Sequence, residues 1–302
     1  MKSFSYPGNP VLLAAGGPVF EKILRNRGRT RNALANYQKR QLANCYDRFV
    51  KGDWKPQSSP RVSEVPVSLT SWRPRLPDLP LVLLTLILQK TRPGHIYLWL
   101  TSEDRKLLDE NVERLFEPYG VVVRETEDYK CHKKWLPMMA LDNGCGRFAI
   151  CDDDIIYPPE WFSSLLSEDR DDAYVGTRGH LVEYDAEGKT IPYARWRKMV
   201  GHSGRTSMNL LLTGCGGALI HKERIPSPFR EVDSIMKYCP GADDIWLHFA
   251  HRMSEIPGYK TKYGFPCIEL PGSDSSGLAK DNVDKGRNDQ QWRQVEEFSL
   301  SL

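Results

Sequence analysis

FAICDDDIIYPPEW, residues 148–161, runs an apolar strand directly into three adjacent carboxylates and then into a proline-started helix. Neighbouring carboxylates repel one another, and capping the helix that begins at Pro158 would take only one of them. In an open α/β sheet, ligands bind beyond the carboxyl ends of the strands, which is where Asp152, Asp153 and Asp154 fall. Oxygen ligands of this kind suit a hard divalent cation, Mg2+ or Mn2+, able in turn to bridge a diphosphate.

Working outward, strand-like and helix-like segments alternate. Val65–Trp72, His95–Thr101, Val121–Glu125 and Arg147–Cys151 read as strands, and Leu79–Lys90, Arg105–Glu117 and Lys133–Leu141 as helices. In Arg105–Glu117, Leu107, Leu108, Val112, Leu115 and Phe116 fall on one face. This alternation predicts an α/β fold with a central, mostly parallel sheet flanked by helices. Further on, Asp172–Tyr184 reads as a strand pair, residues 185–210 as a loop-rich insert, Gly217–His221 as a strand and Asp243–Ser254 as a helix. Residues 263–270 read as a strand, and 273–292 as a polar loop. The first strand is followed by SWRPRLP, with no GxGxxG, and no GxxxxGK[ST] occurs, so a dinucleotide fingerprint and a P-loop are both excluded.

Of the 302 residues 40% are hydrophobic and 27% charged, near globular averages, which excludes wholesale disorder, collagen and coiled coil. The longest apolar stretch, Leu79–Leu88, is far short of the about 20 residues of a membrane span. The N-terminal apolar run is too short for a secretory signal, and seven scattered cysteines without a CxxC predict reduced thiols in a cytoplasmic protein. Net charge is +3, but residues 1–56 carry eleven Lys/Arg against three Asp/Glu, leaving −5 for the remainder. The bulk is therefore no nucleic-acid binder. Residues 1–60 read as a basic, partly helical extension that packs on the domain or docks on anionic lipid at the inner face of the membrane or on a partner enzyme. Residues 61–302 read as one mixed α/β domain.

The strand–DDD–helix arrangement resembles the Asp-x-Asp motif of nucleotide-sugar glycosyltransferases of the GT-A fold, above all family 2-like bacterial enzymes that build capsular and lipopolysaccharide chains. The likeness extends over roughly residues 65–292 and implies a catalytic domain over 61–302, with 61–157 the nucleotide-sugar half and 158–302 the acceptor half. It implies Asp152 and Asp154 as metal ligands and Asp153 as a ribose or metal contact, with the register of the three left open. VSLTSW, residues 67–72, resembles the strand that cradles the nucleotide base, with Thr70, Ser71 and Arg73 at its tip. CHKKWLPMMAL, residues 131–141, resembles the helix that presents a basic residue to the donor, Lys133 or Lys134, although a solvated helix start accounts equally well for either alone.

In LTGCGGALI, residues 211–219, the family likeness sets Gly216 and Gly217 at the acceptor pocket; the alternative is a tight turn entering a strand. In GADDIWLHFAH, residues 241–251, it assigns Asp244 as general base and Asp243 to the acceptor sugar, whereas helix capping alone also explains both. Many relatives have Glu-Asp at this place. A mobile loop over 273–292 would bring Lys280, Lys285 and Arg287 to the leaving diphosphate, and Asn288 or Asp274 would replace a metal-binding histidine that no residue after His251 supplies. The histidines show no zinc spacing.

The reading implied is a metal-dependent, inverting transfer of a sugar from a nucleotide-diphosphate donor, UDP-hexose first, to a saccharide or lipid-linked saccharide. The alternatives are a metal-dependent nucleotidyltransferase or phosphohydrolase, and a non-catalytic sugar-nucleotide-binding component of a polysaccharide assembly complex.

Overall fold

The computed structural model describes residues 29–57, 61–142, 144–197, 204–265, 267–272 and 286–302. The first 28 residues, Asp274, Lys280 and Lys285 lie outside them.

Eight strands form the central sheet: β1 Val67–Thr70, β2 Ile96–Leu100, β3 Val121–Glu125, β4 Arg147–Ile150, β5 Tyr174–Gly176, β6 Arg205–Ser207, β7 Ala218–His221 and β8 Gly258–Lys260. Their spatial order is β6-β8-β5-β7-β4-β1-β2-β3. Four neighbouring strands, β4, β1, β2 and β3, run parallel, as do β8 and β5, while β7 is antiparallel to both β4 and β5. Val67, Leu69, Ile96, Leu98, Phe148, Ala149 and Ile150 are all sealed from solvent, the condition of strands covered by helices on both faces.

Among the described residues the helices longer than one turn are α1 Arg29–Val50, α2 Leu79–Ile87, α3 Glu110–Phe116, α4 Leu136–Ala140, α5 Trp161–Ser167, α6 Val232–Tyr238, α7 Asp243–Met253 and α8 Arg287–Leu300. All nine residues of α2 are buried, so it is a core helix with no solvent face. α1 joins the same core: Ala35, Leu42, Cys45 and Phe49 are buried, and Phe49 packs edge-on against Trp54 and Phe116. Among the described residues no helix is long and apolar enough to cross a membrane.

Several elements differ from the sequence expectation for identifiable reasons. The Arg105–Glu117 helix starts later, at Glu110, because the Asp109 side chain accepts the Asn111 N–H as an N-cap, leaving Leu107 exposed. Over 130–141 a 3₁₀ turn, Lys130–Lys134, precedes α4, which starts with Pro137 in its first turn. Asp172–Tyr184 does contain two strands, but they do not pair with each other. Tyr174–Gly176 enters the main sheet, and Gly179–Leu181 pairs with Leu210–Leu212. Residues 205–207 of the supposed insert form the edge strand β6, and only Ile268–Glu269 of 263–270 is a strand, pairing with Ile155–Ile156. Arg287–Trp292 is not loop but the first part of α8, anchored by buried Trp292 and Val295 against α7. A polar, glycine-containing lead-in concealed that helix.

Three histidines are buried and held neutral, and this gives the fold a specific acid sensitivity. His132 donates through Nε2 to Cys239 O at 2.7 Å while its Nδ1 accepts from Trp135 Nε1 at 3.0 Å, which fixes the neutral tautomer. His251 stacks on Tyr174, with ring centres 3.8 Å apart, and bonds Leu247 O. Burial lowers His132 and His251 from the ordinary 6.5 to about 4, and His248 to about 3. Below pH 6.5 the unfolded chain takes up these protons and the native chain does not, so stability falls as pH drops from about 6.5 towards the native values. Each histidine contributes at most about 1.4 kcal/mol per pH unit. In His248→Met, the loss between pH 6 and 4 should be smaller than in the parent by about that slope, read from urea unfolding at each pH. Parallel curves would show that His248 does not carry its share.

Candidate active site

The parallel arrangement of β1 and β4 brings the ends of both strands to one edge of the sheet, and antiparallel β7 places its entry loop, residues 213–217, at that same edge. Asp152–Asp154 leave β4 there, Ser71 leaves β1, and the N-terminus of α7 delivers Asp243 and Asp244. The 3₁₀ turn before α4 supplies Lys134.

The three consecutive aspartates have three different surroundings. Asp153 is buried, accepting from Ser71 Oγ at 2.5 Å and from Arg75 Nη1 at 2.5 Å. Asp154 pairs with Arg75 Nη2 at 2.9 Å. Asp152 pairs with Lys134 Nζ at 2.6 Å, and its backbone N–H donates to the Tyr157 hydroxyl, which in turn donates to Cys215 O. Both oxygens of Asp153 are used within the chain, so it braces the strand tip. Asp152 and Asp154 keep side-chain exposures of 26% and 15%, and an edge open to a ligand.

Lys134 is the centre of the site. Its ammonium, 5% exposed, also lies 2.8 Å from Asp243 Oδ2, close enough for charge contact though without hydrogen-bond alignment. Burial opposes its charge, but Asp152, Asp243 and Asp244 together raise its pKa well above the ordinary value. Asp243, which the family likeness assigns to the acceptor sugar, is itself buried against this lysine. Asp244 retains partial exposure and accepts the Gly214 N–H at 2.7 Å. Burial first, and then Asp243, push its carboxyl well above the usual carboxylate range.

The glycines divide their tasks. A Cβ on Gly214 would lie 2.7 Å from Lys134 Nζ and 3.1 Å from Asp244 Oδ1, so this position must be bare for the two acidic groups to share the lysine. Gly216 and Gly217 face the other way, toward Arg178 and Trp161 respectively, and Gly216 O accepts from Trp161 Nε1. At the strand tip, Thr70 bonds Trp99 O. Arg73 is exposed, with its backbone N–H on Asp104, while Arg75 two residues on is the arginine that reaches the aspartates. Lys133 is buried and turns to Asp128, 3.6 Å away. Arg287 is exposed at the start of α8, and Asn288 beside it is buried.

Arg75 and Tyr157 were not singled out from sequence. The WRPR run carries two arginines with no spacing to separate them, and a tyrosine after an apolar pair reads as core.

No family model matches the chain, and no curated protein matches it in sequence. Among solved structures it is similar to 4-diphosphocytidyl-2C-methyl-D-erythritol synthase from Anaerococcus prevotii, with a TM-score of 0.45 and 14% identity over 70% of this chain and 92% of that one. It is similar also to the mannosyltransferase PcManGT from Pyrobaculum calidifontis, solved with GDP-Man and Mn2+, with a TM-score of 0.44 and 9% identity over 89% of this chain and 74% of that one. A third is the inositol-1-phosphate CTP transferase of T. maritima, at 0.39 and 11%, covering 73% of this chain and 97% of the other.

The charges are unbalanced. Among the described residues, Asp152, Asp153, Asp154, Asp243 and Asp244 face only Lys134 and Arg75 as ion-pair partners at this edge. Among the described residues no three His, Cys, Asp or Glu groups converge as a complete metal-ligand set. Two accessible carboxylates in a site with excess negative charge instead suit an ion that completes its shell with water and substrate phosphate, as Mg2+ does.

Proposed function

We propose that the protein is a metal-dependent glycosyltransferase acting on a nucleotide-diphosphate sugar. The observation that carries this reading is the meeting, around one lysine, of acidic groups from separate elements: Asp152 after β4, and Asp243 with Asp244 at the start of α7. Asp152 and Asp154 would hold Mg2+ or Mn2+, which when bound neutralises charge on the departing diphosphate. Arg75 keeps Asp153 and Asp154 in place, and Thr70 and Ser71 present the strand tip to the nucleotide. Asp244 takes the proton of the acceptor hydroxyl, a role suited to a carboxyl of raised pKa, and gives inversion. Gly216 and Gly217 shape the wall of the acceptor side. Lys280 and Lys285 would close on the diphosphate from outside the described residues, and the basic head would dock on anionic lipid or a partner enzyme. UDP-hexose is the first donor to test, with a surface saccharide or lipid-linked saccharide as acceptor.

A thermal-shift series with UDP, GDP, CMP and TDP, each with and without Mn2+, tests the reading. One nucleotide should raise Tm more with Mn2+ than without, and Asp154→Ala should remove the increment. A flat response to all four would overturn it. Pyrophosphate release from a nucleoside triphosphate would favour the nucleotidyltransferase alternative.

A further inference from the structure

Arg178 follows β5 and lies against the glycine loop. An ideal Cβ on Gly216 would come within 2.4 Å of the Arg178 Cβ and 2.9 Å of its backbone nitrogen, so the bare backbone at 216 is what admits this arginine. Its Nη1 donates to Thr213 Oγ1 at 2.7 Å and to Cys215 Sγ at 3.1 Å. Its Nε is shut off from solvent and has no acceptor. Unlike Arg75, whose two nitrogens meet Asp153 and Asp154, Arg178 forms no ion pair with a carboxylate among the described residues. The acidic groups around it are the Cys215 and Cys267 thiols and the Tyr193 phenol, ahead of Asp244.

A guanidinium largely withdrawn from water without a carboxylate is costly, and its planar fork matches an oxyanion in two-point contact. The residue is nevertheless not fully covered. The acidic residues around Arg75 are Asp152, Asp153 and Asp154, whereas Asp244, the proposed base, acts on Arg178.

We infer that Arg178 receives an oxyanion of the acceptor, a carboxylate or phosphate carried near the reacting hydroxyl, so that this site selects acidic acceptors over neutral ones. The inference rests on the transferase reading and names its acceptor class. Thr213 and Gly216 position the guanidinium, and Asp244 lies on the side from which the hydroxyl would be deprotonated.

The test uses the full chain, with calorimetric titration of D-glucuronate, inorganic phosphate, D-glucose and UDP with Mn2+. Glucuronate or phosphate should bind where glucose does not, the first pointing to a uronate and the second to a phosphorylated acceptor. Arg178→Met should weaken that binding by about tenfold or more, while UDP affinity stays within about twofold. Arg178→Lys, which keeps the charge but loses the fork, should recover part of it, and both variants are first checked for parental Tm. Equal oxyanion binding by parent and Arg178→Met, or none by the parent, would overturn the inference. So would loss of UDP binding in folded Arg178→Met, which would assign the arginine to the donor diphosphate. Oxyanion binding without any nucleotide binding would instead remove the transferase reading and leave the anion site standing.

Discussion

Lys134→Met should lose about 3–5 kcal/mol of stability at pH 7, measured by urea unfolding. The lysine is 5% exposed and touches Asp152 at 2.6 Å and Asp243 at 2.8 Å. Removing one member of a buried ionic group leaves its partners as uncompensated buried charges, which costs far more than the group contributes as a whole. Two features distinguish this from simple loss of packing, since methionine preserves most of the volume. First, adding Asp243→Asn to Lys134→Met should recover part of the loss, because one orphaned charge disappears with it. Second, the deficit relative to the parent should shrink as pH falls. Asp244 is already held above the usual carboxylate range, and without the lysine it would be held higher still. A raised native carboxylate pKa costs stability above that pKa and ceases to cost it once the group is protonated. A pH-independent deficit of less than about 1 kcal/mol would show that Lys134 is an ordinary solvated lysine.

The importance of Lys134 illustrates what could and could not be read from sequence. The apolar runs of β1, β2, β3, β4 and α2 and the helical periodicity of α7 are local signals, and those elements lie within a few residues of where the pattern puts them. The Asp152–Asp154 cluster was legible for the same reason, because a strand running into carboxylates needs no knowledge of the rest of the chain. Partner choice is not local. Whether Lys133 or Lys134 faces the site depends on a 3₁₀ turn, and Lys133 goes to Asp128 instead. Arg73 and Arg75 differ only in which side of another 3₁₀ turn they leave, and that turn is set by Pro74 and by Asp104 accepting the Arg73 N–H. β6 and β8 escaped notice because a three-residue strand is shorter than any periodicity that could reveal it.

Long-range packing also redistributes meaning among the glycines. The sequence presents Gly214, Gly216 and Gly217 as one flexible segment, yet each is required by a different neighbour: Lys134 and Asp244, Arg178, and Trp161. Gly217 additionally has φ +81°, a conformation side chains rarely adopt. Only the first of the three touches the acidic groups directly.

Asp244→Asn should separate stability from catalysis. As general base, the carboxylate is needed only when the acceptor hydroxyl gives up its proton, so turnover should fall by about 10²–10⁴-fold while the affinity for donor nucleotide with Mn2+ changes little. Asparagine can still accept the Gly214 N–H, now 2.7 Å from Asp244 Oδ1, so the loop keeps its anchor. Because burial and Asp243 raise the Asp244 pKa, its ionised form costs stability at neutral pH, and the neutral amide removes that cost. The variant should then melt at or above the parental temperature while almost inactive, the trade expected where a site stores unfavourable charge for function. Asp243→Asn should behave in the opposite way. It strips a buried partner from Lys134, and should lower Tm with a smaller effect on turnover per folded molecule. If instead Asp244→Asn destabilises the protein and its activity falls only in proportion to the folded fraction, Asp244 is a cap for α7 and the proton must leave by another group.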